Sequence, residues 1–139
     1  MHQHLSVVLA LDVGERRIGV AEANLQARLA SPLTTLLVGN STLEDIQNLA
    51  LEHGAKALVV GLPRGLDGQH TKQTVLVEEF KASLEQVVNV PVYWQDEALT
   101  SRQAESELKS RGQPYKKEDI DALSATIILE DFLRDHPEV

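Results

Sequence analysis

An almost wholly apolar segment near the amino terminus, Leu5 to Val13, places the strongest constraint on how this chain can fold. A strand that is apolar on both faces must be covered on both faces, as in the centre of a layered α/β sheet. The segment carries an aspartate at its end, Asp12, and a turn at Gly14 follows. A carboxylate that finishes a hydrophobic run is costly to bury unless a cation meets it. The segment therefore predicts a central strand that ends at a charged site.

The rest of the chain predicts two more strands and then alternating helices and strands. Strands are expected over Arg17 to Asn24 and Arg28 to Val38, and Pro32 predicts a kink or an edge position in the latter. The remaining predicted elements are a helix over Thr42 to His53, a strand over Lys56 to Gly61, a helix over Gln73 to Val88 with Val75, Leu76, Phe80 and Leu84 facing inward, a strand over Val90 to Trp94, a helix from Thr100 that stops before Gly112, and a helix from Glu118 to Arg134. This order predicts an α/β fold in one domain over residues 1–139, with a mixed five-stranded sheet (an antiparallel meander plus β-α crossovers) and helices on both faces.

Composition limits the classes of function. The chain of 139 residues has a net charge of −8 and no cysteine, which excludes disulfides, zinc–thiolate sites and thiol catalysis. The acidic balance argues against tight nonspecific binding of nucleic acid by the whole surface, so any such contact requires local basic patches. No apolar run approaches the ~20 residues that span a bilayer, and the first residues do not form a signal peptide. We therefore expect a cytoplasmic protein with no membrane association.

Three carboxylates lie at the ends of apolar elements. Asp12 ends the first strand, Glu97 comes just past a buried strand, and Asp121 heads an apolar helical stripe. Each also has an ordinary structural explanation, as a turn aspartate or as an acid in the first turn of a helix. If the three converge, a divalent cation relieves their repulsion, and oxygen ligands suit Mg²⁺ or Mn²⁺. Two such ions about 4 Å apart promote phosphodiester hydrolysis, so we predict that these three residues bind the metal and are catalytic.

Basic residues lie close to these acids in the sequence. Arg16 and Arg17 follow Asp12, a basic stretch around Tyr115 precedes Asp121, and Arg64 lies in a glycine-rich loop after a predicted strand. Cations interleaved with an aromatic ring suit a phosphate chain with unstacked bases, although a solvated loop explains the same composition. The predicted nucleic-acid contacts are Arg16, Arg17, Arg64, Lys109, Arg111, Lys116 and Lys117.

Five motifs in order resemble one known family. They are "LALDVGERRIGVA", "ASPLTTL", "VVGLPRGLDG", "DEALTS" followed by "AE", and "KKEDIDALSATIIL". Together they resemble the YqgF/RuvX family of bacterial RNase H-fold proteins, described as pre-16S rRNA nucleases and Holliday junction resolvases, from about Leu9 to Leu133. The resemblance implies an RNase H-like fold, with Asp12, Glu97 and Asp121 matching the family's acidic triad. It also implies processing of the 5′ end of precursor 16S rRNA, with precursor ribosomal particles as partners.

The chain departs from the family pattern beside the triad. Ala98 stands where family members usually carry an arginine, which puts substrate affinity in question, and Arg64 is a candidate for the compensating charge. Three other functions fit parts of the pattern. A Holliday junction resolvase is expected to be a homodimer, because a two-fold substrate suits a two-fold enzyme. A non-catalytic binding module would keep the fold without the chemistry. Nucleotide hydrolysis of the actin-like type requires a second domain of the same kind.

Overall fold

The elements follow the predicted order in the computed structural model, which describes residues 6–63, 71–97 and 100–139. They are β1 (Val7–Val13), β2 (Arg17–Asn24), β3 (Leu29–Leu37), α1 (Thr42–Glu52), β4 (Ala55–Pro63), α2 (Lys72–Glu85), β5 (Val92–Glu97), α3 (Thr100–Ser110) and α4 (Lys117–Asp135). Within these residues, no helix combines the length and the apolar character that a membrane crossing demands.

The five strands form one mixed sheet in the order β3-β2-β1-β4-β5. β1 pairs antiparallel with β2 and parallel with β4, which in turn pairs parallel with β5. The carboxyl ends of β1, β4 and β5 therefore lie at the same end of the sheet, which is also the end where β2 begins. β3 is an edge strand, and the β2–β3 register shifts between Val20 and Ala21, opposite Pro32. The prediction of a kink or edge position at Pro32 is confirmed.

The central strand β1 is covered on both faces, as its sequence predicted. Leu9 and Leu11 pack in the core on the side of α1 and α2, whereas Val8 and Ala10 pack against α4. All four side chains are fully buried. Because successive side chains of a strand point to opposite faces, an apolar residue is required at every one of these positions.

The predicted inward face of α2 is partly wrong. Leu84 is buried and Phe80 packs against the core, but Val75 and Leu76 are 48% and 37% exposed. The buried stripe instead begins at Thr74, whose hydroxyl donates to the Pro63 carbonyl at 2.6 Å. This buried polar side chain sets the phase of the helix, and it leaves the two apolar residues that follow it on the outside.

The carboxyl-terminal end of α4 is held by Arg28, in the turn between β2 and β3. The Arg28 guanidinium donates hydrogen bonds to the carbonyls of Val139 (2.7 Å), Leu133 (2.8 Å) and His136 (3.1 Å). Its backbone has φ of 54°, in the left-handed region that few non-glycine residues adopt. The side chain thus ties the helix end to the hairpin from a strained backbone position.

Candidate active site

Asp12 and Glu97 lie on the face of the sheet that α4 covers. Asp12 follows the alternation of Val8 and Ala10, which pack against α4. On β5, Tyr93 contacts Phe132 of α4 with ring centroids 5.8 Å apart, and Glu97 lies on the same face as Tyr93. The structure corrects one detail of the prediction, because β5 runs to Glu97 instead of ending at Trp94. Glu97 therefore projects from the strand itself, which orients its carboxylate more rigidly than a loop would.

Glycines on the two strands beside β1 let α4 and Glu97 approach closely. Gly19 of β2 pairs with Asp12, and a Cβ on Gly19 would lie 1.9 Å from the backbone carbonyl oxygen of Asp121. On β4, a Cβ on Gly61 would lie 2.5 Å from Ile128 Cδ1 and 3.3 Å from the carboxyl carbon of Glu97. A side chain at either position would occupy the space that the acids and the helix now share.

The charges of Glu97 and Asp121 act on Asp12. Burial raises the pKa of Asp12 well above its ordinary value, and the charges of Glu97 and Asp121 raise it further. Glu97 and Asp121 are therefore near enough for their charges to act on Asp12, although the three residues come from two strands and a helix spread over most of the chain. The site concentrates negative charge at the edge where the parallel strands end.

The Asp121 carboxylate is engaged by a cation from β2. Arg17 Nε donates a hydrogen bond to Asp121 Oδ2 at 2.5 Å. This hydrogen bond and the negative charge of Asp121 both raise the pKa of Arg17 above its ordinary value. The sequence predicted a divalent cation for the three acids and a nucleic-acid contact for Arg17, and the structure adds an ion pair between Arg17 and Asp121. Among the residues described, no three His, Cys, Asp or Glu side chains are arranged to hold a metal ion.

The donor set nevertheless fits a hard divalent cation in its chemistry. Asp12, Glu97 and Asp121 offer carboxylate oxygens, the ligands that Mg²⁺ and Mn²⁺ prefer. Burial raises the pKa of Asp12 and the charges of Glu97 and Asp121 raise it further, and a divalent ion among these carboxylates would offset both effects. For all three carboxylates to bind one ion, the Asp121 carboxylate must either contact the ion and Arg17 together or lose its contact with Arg17.

The predicted basic residues do not lie together in the structure. Arg17 and Lys117 line a cavity of about 310 Å³ beside Asp121, together with Arg102 of α3. Arg111 pairs with Glu107 at 3.2 Å and lines a different cavity with Tyr115. Arg16, Lys109 and Lys116 have exposed side chains, and Arg64 and Ala98 lie outside the described residues.

The sequence prediction missed three residues of this site. Gly19 and Gly61 each interrupt a strand, and a glycine inside a strand commonly marks a close approach of another backbone or side chain. The two glycines could therefore have been identified from the sequence. Arg102 lies near the start of α3 and follows no pattern, so only the packing of α3 against α4 identifies it.

The fold is that of the RNase H-like class of nucleases. The sheet order and the helices on both faces are its features here. The chain belongs to the RuvX family, whose model, described as Holliday junction resolvase, matches residues 6–135. The predicted family and fold are both confirmed.

Named relatives agree with this assignment. A protein of Chloroflexus aggregans named "Putative pre-16S rRNA nuclease" is 45% identical over 130 residues, which are 91% of this chain and 92% of the relative. A protein of Thermosynechococcus vestitus with the same name is 38% identical, over 91% of this chain and 86% of its own.

Two solved structures share the fold. Thermus thermophilus RuvC in complex with a Holliday junction substrate superposes with a TM-score of 0.56 at 17% identity, over 94% of this chain and 96% of RuvC. The fowlpox virus Holliday junction resolvase superposes with a TM-score of 0.54 at 8% identity, over 96% of this chain and 99% of the viral resolvase.

Proposed function

We propose that this protein is a divalent-metal-dependent endonuclease that processes the 5′ end of precursor 16S rRNA. The observation that carries the proposal is the placement of Glu97 and Asp121 beside Asp12, whose pKa is raised by burial and by the charges of these two neighbours. Relatives of 45% and 38% identity that are named "Putative pre-16S rRNA nuclease" support the choice of substrate. This substrate places the protein in the cytoplasm, with precursor ribosomal particles as its partners.

Asp12, Glu97 and Asp121 are the residues that would hold Mg²⁺ or Mn²⁺. One or two such ions activate water and stabilise the leaving oxygen when they are bound. The protein's own contribution is position. Asp12 and Glu97 project from β1 and β5, which both pair with β4 in one sheet, and Asp121 projects from a helix packed on Gly19. Arg17 and Lys117 supply positive charge beside the acids, where phosphates of the substrate would otherwise be repelled.

A Holliday junction resolvase is the second candidate function. The description of the matching family model favours it, and it requires two active sites that act on symmetric strands. A homodimer is expected in that case, since a two-fold substrate is cut by a two-fold enzyme. A monomer in solution that cleaves precursor rRNA would decide against this candidate.

The test compares cleavage by wild type, Asp12→Asn and Asp96→Asn in the presence of Mn²⁺. Asp96→Asn is the matched control, because it makes the same chemical change next to Glu97 on the opposite face of β5. The substrates are a precursor 16S rRNA fragment, a single-stranded RNA and a four-way DNA junction. We expect cleavage of the precursor by wild type and Asp96→Asn, and loss of cleavage in Asp12→Asn.

Other outcomes would decide against the proposal in distinct ways. Cleavage by Asp12→Asn at the wild-type rate would show that the Asp12 carboxylate has no part in the reaction, which contradicts the proposed mechanism. Preference for the junction would select the resolvase. Binding of nucleic acid by all proteins with no cleavage of any substrate would identify a binding module that keeps the fold without the chemistry.

A further inference from the structure

We propose that Arg17 alternates between two anions. It pairs with Asp121, and it moves to a phosphate of the nucleic acid, in the cavity beside Arg102 and Lys117, when a divalent cation binds Asp121. The inference rests on the proposed function, and it adds a phosphate site and a coupling between metal and substrate. Arg102 and Lys117 complete this phosphate site.

The side chain of Arg17 is placed for such a movement. The backbone of Arg17 is fixed, because it begins β2, pairs with Leu37 and accepts a hydrogen bond from the Gly14 N–H at 2.9 Å. Its side chain is 28% exposed and that of Asp121 is 20% exposed. Both side chains are therefore partly exposed to solvent. An ion can reach the carboxylate, and the guanidinium can rotate away without passing through the core.

The cavity next to this pair collects positive charge in an acidic protein. Arg17, Arg102 and Lys117 line it from β2, α3 and α4, and Glu105 and Asp121 are its acidic residues. The chain as a whole has a net charge of −8, so three cations around one opening of about 310 Å³ depart strongly from its average surface. A planar guanidinium recognises phosphate oxygens through paired hydrogen bonds, which favours phosphate as the ligand.

Competition for Asp121 links the two binding events. Arg17 Nε donates to Oδ2 of Asp121, one of the two oxygens with which this carboxylate would bind a divalent ion, and the positive charges of the ion and the guanidinium repel each other. A phosphate in the cavity offers Arg17 a replacement anion, so bound nucleic acid releases Asp121 for the metal. Because such coupling is reciprocal, the metal strengthens binding of nucleic acid by the same factor.

The test measures binding by Arg17→Gln without relying on cleavage. Calorimetry with Mn²⁺ alone reports the metal site, and fluorescence anisotropy with a labelled 2′-O-methyl phosphorothioate oligonucleotide, which resists hydrolysis, reports the phosphate site. We expect Arg17→Gln to bind Mn²⁺ about 2- to 5-fold more tightly, since an exposed ion pair that competes with the metal is lost. We expect weaker oligonucleotide binding, and no strengthening of that binding by Mn²⁺.

Two further variants complete the design. Arg134→Gln removes the same charge and breaks ion pairs with Asp131 and Asp135 near the other end of α4, so its binding of Mn²⁺ and oligonucleotide should match wild type. Arg102→Gln should weaken oligonucleotide binding and leave Mn²⁺ affinity in the absence of nucleic acid within about 2-fold of wild type.

Several results would overturn the inference. Weaker Mn²⁺ binding by Arg17→Gln would mean that Arg17 only positions Asp121 for the metal. Unchanged oligonucleotide binding in Arg102→Gln would show that the cavity is not a phosphate site. If wild type binds Mn²⁺ and cleaves RNA while Arg17→Gln binds both ligands normally, the exchange fails and the proposed function stands. If wild type does not bind Mn²⁺ at all, both fail.

Discussion

Replacing Gly19 with alanine should disable the site without touching any charged group. The new Cβ would lie 1.9 Å from the carbonyl oxygen of Asp121 and 2.2 Å from its carbonyl carbon, whereas real Cβ contacts essentially never fall below 3.0 Å. The obstacle is backbone, which cannot rotate away as a side chain can. The start of α4 must therefore move outward by about 1 Å, and Asp121 moves with it.

The displacement has two measurable consequences. Overpacking of this kind costs about 1–3 kcal/mol of stability, which leaves a domain of ordinary stability folded. A misplacement of about 1 Å costs about 100-fold in rate, because catalysis depends on the alignment of the reacting groups. We expect Gly19→Ala to lose about two orders of magnitude in Mn²⁺-dependent cleavage, with a near-native circular dichroism spectrum and a lowered midpoint in urea.

Gly39→Ala is the matched control. A Cβ on Gly39 would meet no heavy atom within 4 Å, so this variant should retain wild-type cleavage and stability. Wild-type cleavage by Gly19→Ala would refute the reasoning, because the approach of α4 to β2 would then be irrelevant to the chemistry. Loss of cleavage with α4 unmoved in a crystal structure of the variant would refute it equally.

Two further predictions concern stability. Burial and the charges of Glu97 and Asp121 raise the pKa of Asp12, so between about pH 4 and the raised pKa the folded protein binds more protons at Asp12 than the unfolded chain does. The metal-free wild type should therefore lose stability relative to Asp12→Asn as the pH rises through this window, and parallel urea midpoints across it would contradict the assignment. At Arg28, alanine and glycine remove the same three hydrogen bonds, but only glycine relieves the φ of 54°. Arg28→Gly should therefore be about 1 kcal/mol more stable than Arg28→Ala in denaturant titrations, and the opposite order would show that the backbone there is not strained.

The sequence predicted the elements well because their signals are local. The apolar run of β1 needs two covered faces and receives them, and the stripe headed by Asp121 continues through buried residues to Phe132. The phase of α2 could not be predicted in the same way. Thr74 is polar yet fully buried, and its hydrogen bond to Pro63 compensates for the burial, so hydrophobicity alone placed Val75 on the wrong face.

The candidate site was predicted in its acids and only partly in its cations. Each acid ends an apolar element, which is a local pattern, whereas the pairing of Arg17 with Asp121 joins residues 104 positions apart. Arg16 and Arg17 are equivalent in the sequence, and only the direction of β2 gives Arg17 the contact. Arg102 lies on an exposed helix surface and acquires its place through the packing of α3 on α4.

The contacts at the two ends of α4 have a consequence for how this fold tolerates changes in length. The helix has 19 residues, a span of about 28 Å, and one hairpin holds it at both ends, through Gly19 in β2 and Arg28 in the following turn. The distance between Gly19 and Arg28 in the hairpin therefore fixes where the helix starts relative to the sheet. An insertion between Gly19 and Arg28 would have to be matched by a change in the length of α4, or Asp121 would no longer lie opposite Asp12. Among relatives that keep the chemistry, the lengths of these two segments should vary together or not at all.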